Sequence, residues 1–160
     1  MYRRILLAYD GTLEGRAALR EGALLARRCG AEVFLLAVVS TDATATAMGG
    51  TSAAIMQDHS EIFEEGLARA KEFGLKADGK LVSGDPVYEI RTYAEELPVD
   101  LVVVGLRKKT LLERWWSGPT HAFLSDSLQC SLLISRNLIS DEELRAELQV
   151  PSGAPAPLDA

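Results

Sequence analysis

Val99–Arg136 reads VDLVVVGLRKKTLLERWWSGPTHAFLSDSLQCSLLISR. An apolar run, Leu101–Val104, stops at Gly105; a basic and then apolar loop runs to Ser117-Gly118. A helix-like stretch follows, and a second apolar run, Leu132–Ile134, closes the unit. The order is strand, loop, helix, strand. In an open parallel sheet, ligands bind beyond the carboxyl ends of the strands. A helix that begins just after a glycine presents free backbone N–H groups to an anion. Function is therefore expected between Gly105 and Thr120, and the rest of the chain should explain how that segment is held.

Upstream, the same alternation repeats. Ile5–Tyr9 is a short apolar strand broken by Asp10-Gly11-Thr12. Residues 13–29 show helical periodicity: Ala18, Gly22, Leu25 and Cys29 share a face, flanked by Leu19, Ala23 and Ala26, with Arg16, Arg20, Arg27 and Arg28 opposite. Gly30 stops that helix. Val33–Val39 is a second, almost wholly apolar strand, the mark of a strand covered on both faces. Residues 40–52 read as a loop. Residues 53–74 read as a helix, with Ile55, Ile62, Gly66, Ala70 and Phe73 in register. Ala77–Val82 is a strand polar enough for a sheet edge. Asp85 and Pro86 open a third helix as cap and first residue, and Pro98 closes it.

Five strands alternating with helices predict an α/β fold, an open doubly wound parallel sheet with helices on both faces, because strand–helix–strand crossovers are right-handed. One domain is expected over residues 1–137. A tail, 138–160, begins with a short helix capped at Ser140-Asp141-Glu142-Glu143 and ends in a Pro/Ala/Gly-rich stretch that reads as disordered.

The bulk numbers narrow the function classes. The 160 residues are 48% hydrophobic and 25% charged, with a net charge of −6. That balance opposes a broad nucleic-acid or anionic-membrane footprint. No apolar run approaches the roughly 20 residues of a membrane span, and the first run breaks at Asp10, too early for a signal peptide. A cytoplasmic location is expected, with Cys29 and Cys130 as reduced, buried thiols. The Walker lysine loop, the dinucleotide fingerprint, the nucleophile elbow and the zinc-helix motif are all missing. His59 and His121 have no visible partner constellation, so no catalytic residue is assigned and no enzyme is expected, a slow ATPase aside.

Four segments, YRRILLAYDGT, RCGAEVFLLAVV, SGDPVYEIRTYAEELPVDLVVVG and CSLLISR, together resemble the universal stress protein family across residues 2 to 136. The resemblance implies a sheet of order 3-2-1-4-5, a homodimer through strand five, and ATP or another adenine nucleotide as ligand, with or without magnesium. The family's nucleotide motif is Gly, two residues, Gly, nine residues, Gly, then Ser or Thr. Gly105 and Gly118 match; Lys108 and Pro119 depart, with Thr120 beside the hydroxyl position. Lys108 exchanges backbone freedom for a cation, and with Arg107 and Lys109 offsets phosphate charge. Pro119 removes one N–H donor, or simply opens the helix.

Carried over by position, Asp10 would face the ribose or base edge, with Ala8 and Tyr9 lining the same crevice. Val38 or Val39 would contact adenine. Gly105, Arg107, Lys108, Gly118 and Thr120 would hold phosphates. Plainer roles stand beside these: Asp10 as a helix cap, the valines as core, the glycines as turns. Trp115-Trp116 would pack over the loop, cover a base or meet a partner. The alternative function is a dimeric protein-interaction module, with an unidentified protein partner and no nucleotide.

Overall fold

The computed structural model of the chain describes residues 1–40, 52–105, 124–136 and 139–149. Five strands form one parallel sheet: β1 (Arg4–Ala8), β2 (Glu32–Ser40), β3 (Ala77–Gly84), β4 (Leu101–Gly105) and β5 (Ser131–Ser135). Their order is β3-β2-β1-β4-β5, as expected. β1 lies at the centre, with Ile5 opposite Val33 of β2 and Leu101 of β4. The polar strand β3 takes one edge and β5 the other. The described helices are α1 (Leu13–Cys29), α2 (Ser52–Glu72), α3 (Pro86–Glu96), α4 (Leu124–Ser127) and α5 (Asp141–Gln149).

Side chains alternate across a strand, and this divides the core in two. Ile5 and Leu7 of β1, and Tyr9 just past its end, pack with Leu35 and Ala37 of β2 against α1 and α2. Leu6 packs with Leu36, Val102 and Val104 against Ile90 and Ala94 of α3 and Leu124 of α4. Helices thus cover both faces, which is why these strands carry unbroken apolar runs.

Local chemistry explains the helix ends. The Thr12 hydroxyl accepts a 3.1 Å bond from Gly15 N–H and caps α1. Asp85 caps α3 by accepting from Tyr88 N–H at 2.9 Å, and Pro86 follows it. At α5 the two halves of a capping box close: Ser140 Oγ accepts from Glu143 N–H at 3.1 Å, and Glu143 Oε2 accepts from Ser140 N–H at 2.7 Å. Leu144 of α5 is fully buried against the α1 side of the core.

Some expectations shift. The buried stripe of α1 runs through Ala18, Leu19, Gly22, Ala23 and Ala26, while Leu25 and Cys29 are only half-buried. The inward face is centred on what the sequence suggested was its flank, because the small alanines let the helix sit close to the sheet. Among the described side chains of α2, Phe63, Gly66 and Ala70 are buried, with Phe73 just past its end, and Ile62 sits at their margin. Cys29 and Cys130 are free but half-buried, so neither is the core thiol expected. Burial still raises the Cys130 pKa and keeps it a thiol. Of the loop expected over 40–52, Ser40 ends β2 and Ser52 opens α2, while 41–51, the start of the helix before Leu124 and the stretch after Gln149 lie outside the described residues.

Candidate functional site

The strand order reverses beside β1, since β2 lies on one side of it and β4 on the other. At that switch point, beyond the strand ends, a crevice opens. It is lined by Ala8, Tyr9, Asp10, Gly15, Leu36, Val38, Pro86, Ile90, Val104 and Gly105. This is where an open α/β sheet places its ligand.

Each wall follows from the fold. Leu36 and Val38 project from one face of β2, two residues apart, and Ala8 and Val104 share that face. Ile90 comes from α3, whose first residue, Pro86, closes the rim. Alternation turns Val39 to the opposite face; it is buried and does not line the crevice. Of the two valines considered, Val38 is the wall.

Asp10 has a defined geometry. Its Oδ1 accepts from Thr12 N–H at 3.1 Å and from the Thr12 hydroxyl at 2.6 Å. The helix cap is therefore Thr12, and Asp10 holds the cap rather than being it. Both bonds fall on one oxygen. Among the described residues Oδ2 has no hydrogen bond, which leaves a carboxylate oxygen at the crevice wall as an acceptor for a hydroxyl.

Two glycines make the junction possible. A Cβ on Gly15 would collide with Asp10 Oδ1, and a Cβ on Gly105 would collide with the carbonyl of Glu14. Gly105 does not have the positive φ that a glycine turn requires. Its glycine is needed for close approach: the end of β4 packs directly on the first turn of α1. The sequence reading gave Gly105 to phosphate, and this backbone contact was not visible to it.

Tyr9 divides its roles. Its ring packs across the sheet toward α2, where a Cβ on Gly66 would lie 2.7 Å from it. The chain at Tyr9 is tied to β2 by a 2.9 Å bond from its N–H to the Leu36 carbonyl. The crevice thus meets its backbone. Burial pushes the Tyr9 hydroxyl pKa up, and the Arg16 guanidinium beside it pulls the other way. Hydroxyl and Arg16 Nε are both buried, and neither makes a hydrogen bond.

Arg107, Lys108, Gly118 and Thr120 lie outside the described residues, as do Pro119, His121 and Trp115-Trp116. The structure brings Ala8, Tyr9, Asp10, Val38 and Gly105 together. Gly15, Leu36, Pro86, Ile90 and Val104 join them, none of which the sequence analysis assigned to a site. Leu36 was within reach, since it is two residues before Val38 on a strand. Ile90 and Gly15 depend on how helices dock.

The crevice encloses about 60 Å³. A larger hollow of about 320 Å³ lies between α3 and α4, lined by Arg91, Pro98, Leu128, Gln129 and Cys130 among others. It sits at the amino ends of β4 and β5, away from the switch point, so position favours the smaller site.

Comparison with known proteins agrees with this architecture. The sequence profile of the universal stress protein family matches residues 1–136. Universal stress protein YxiE of Bacillus subtilis is 30% identical over 149 residues, covering 85% of this chain and all of that protein. A universal stress protein solved in complex with cAMP superposes with a TM-score of 0.64 at 20% identity, covering 84% of this chain and 97% of that one. The Archaeoglobus fulgidus universal stress protein in complex with dAMP gives 0.62 at 18% identity, covering 83% and 97%. Profile, sequence relative and shared fold together lead to one conclusion: the chain belongs to the universal stress protein family.

Proposed function

We propose that the chain binds an adenine nucleotide in the crevice at the switch point and does not turn it over rapidly. The observation that carries this is the pairing of apolar walls, Leu36 and Val38, with the open Oδ2 of Asp10. Flat apolar walls suit a purine; a carboxylate suits a ribose hydroxyl and repels phosphate, which sets the ligand's direction. The phosphates would then be held by Gly105, Arg107, Lys108, Gly118 and Thr120. The complexes of relatives with cAMP and dAMP support the ligand class. Among the described residues no cluster of three or more acidic, histidine or cysteine side chains could hold a metal.

A second reading has its own observation. About 60 Å³ is well short of the roughly 300 Å³ of an ordinary ligand pocket. The described walls form a floor, and a protein-interaction module with an unfilled crevice would look the same there. Calorimetric titration with ATP, ADP, AMP and cAMP separates the two. Heat with at least one nucleotide, abolished by Val38→Trp, supports the nucleotide reading. No heat with any of them at micromolar protein overturns it and leaves the interaction module.

The proposal includes a cytoplasmic stress-response role and a homodimer through β5. Among the described residues β5 has β4 on one side only, and Leu132, Leu133 and Ile134 are half-buried along it. An edge of that kind pairs readily with its own copy. No helix among the described residues is long and apolar enough to cross a membrane. A monomeric mass by light scattering across a wide concentration range would end the dimer.

A further inference from the structure

Helix α5 lies beyond the residues that the family profile matches, yet Leu144 builds it into the α1/α2 core, on the sheet face opposite the crevice's apolar walls. Its first residue, Asp141, joins an alternating row of charges. Asp141 Oδ1 accepts from Arg20 Nε, and Oδ2 accepts from Arg69 Nη1 at 3.0 Å. Arg69 Nε donates to Glu65 Oε1 at 3.0 Å, and Glu65 Oε2 accepts from Arg16 Nη2 at 2.9 Å. Arg16 stands beside the buried hydroxyl of Tyr9, whose backbone lines the crevice next to Asp10. The row runs Arg20, Asp141, Arg69, Glu65, Arg16 and draws on α1, α2 and α5.

The count of charges shows what each member does. Three guanidinium groups share two carboxylates. Arg16 and Arg20 stand four residues apart on α1, so they are neighbours on one face. While Asp141 occupies Arg20 and one edge of Arg69, Glu65 is shared between Arg69 and Arg16 through its two oxygens. Without Asp141, Arg16 and Arg20 compete for Glu65, and Arg16 is drawn away from Tyr9.

We propose that Asp141 is a positioning residue for the crevice: it holds Arg20 and Arg69, so that Glu65 keeps Arg16 beside Tyr9 and the Tyr9-Asp10 wall stays in place. This rests on the nucleotide reading for its effect on binding and is independent of that reading for its effect on Tyr9.

The test uses the full chain labelled with ¹³Cζ-tyrosine, with the Tyr9 resonance assigned through Tyr9→Phe. Nucleotide affinity is measured alongside with AMP, cAMP and ATP. In Asp141→Asn the Tyr9 resonance shifts, and affinity falls roughly threefold or more, the scale of coupling across packed networks. Asp141→Glu restores both. Glu147→Gln breaks a pair with Arg28 on the same helix, outside the row, and changes neither. If nucleotide binds and only one of the two readouts moves, or neither does, the proposal is overturned. If no nucleotide binds the unaltered chain, the nucleotide reading has failed and Tyr9 decides alone. A resonance shifted by Asp141→Asn but not by Glu147→Gln then upholds the positioning role, and an unmoved one overturns it.

Discussion

The two helical layers of this protein are held in different ways. The α1/α2/α5 layer is laced with ion pairs: the row through Asp141, the Arg28–Glu147 pair at 2.7 Å and the Arg145–Glu72 pair at 2.8 Å. In the α3/α4 layer, among the described residues, the ion pair is Arg91–Glu95 at 3.9 Å, and the helices are held by apolar contact. The crevice walls Leu36, Val38 and Ile90 belong to this second layer. The charged layer backs one face of the sheet, and the crevice side, among the described residues, is left with few polar ties. A site gains from having its fixed elements behind it, since supporting contacts set the geometry of the residues that touch the ligand.

The largest expected effects come from the apolar centres of the layers. Leu144→Ala and Ile90→Ala each remove a side chain at most 1% exposed and should each cost about 2–4 kcal/mol in urea unfolding. Equal losses mean that α5 is as much a part of the core as α3. A loss under about 0.5 kcal/mol for Leu144→Ala, the level of an ordinary surface change, would break the comparison. Gly105→Ala comes next. It pushes a methyl into the backbone of Glu14 and should cost about 1–3 kcal/mol by overpacking, read from the same unfolding curves.

Asp141→Asn sharpens the comparison through pH. Hydrogen bonds from Arg20 and Arg69 hold the Asp141 carboxyl below its ordinary range, although burial opposes them. A depressed native pKa means that the unfolded chain binds the proton first as pH falls. The stabilisation is therefore complete above the unfolded pKa of about 4 and fades as pH drops through the native value. For a pair this exposed the loss at neutral pH should be about 1 kcal/mol. Stability curves of the variant and the parent should converge below about pH 4. A constant gap across that range would place the effect elsewhere. The smallest effect belongs to Arg91→Ala, whose partner is distant and whose side chain is 39% exposed. Thermal unfolding should move by less than about 0.5 kcal/mol. A larger change would mean that the crevice-side layer has a polar tie after all.

The sequence by itself determined the sheet. Unbroken apolar runs at Ile5–Tyr9, Val33–Val39 and Leu101–Val104 require cover on both faces, and short connections with right-handed crossovers leave few topologies. It also determined the local stops, Asp85-Pro86 and the Ser140–Glu143 box, because capping is settled within four residues. Asp10, and one of the pair Val38 and Val39, were legible as crevice residues through the family resemblance.

Tertiary structure decided what depends on two distant segments meeting. Gly105 is a glycine because Glu14 packs on it, and nothing near position 105 in the chain indicates this. Whether Val38 or Val39 forms the wall was settled by which face of β2 meets α3. The Asp141 row joins residues 72 and 121 positions apart. Periodicity reports which side of an element is buried; the partner on that side is set by docking, where shape and charge from separate elements have to be satisfied together.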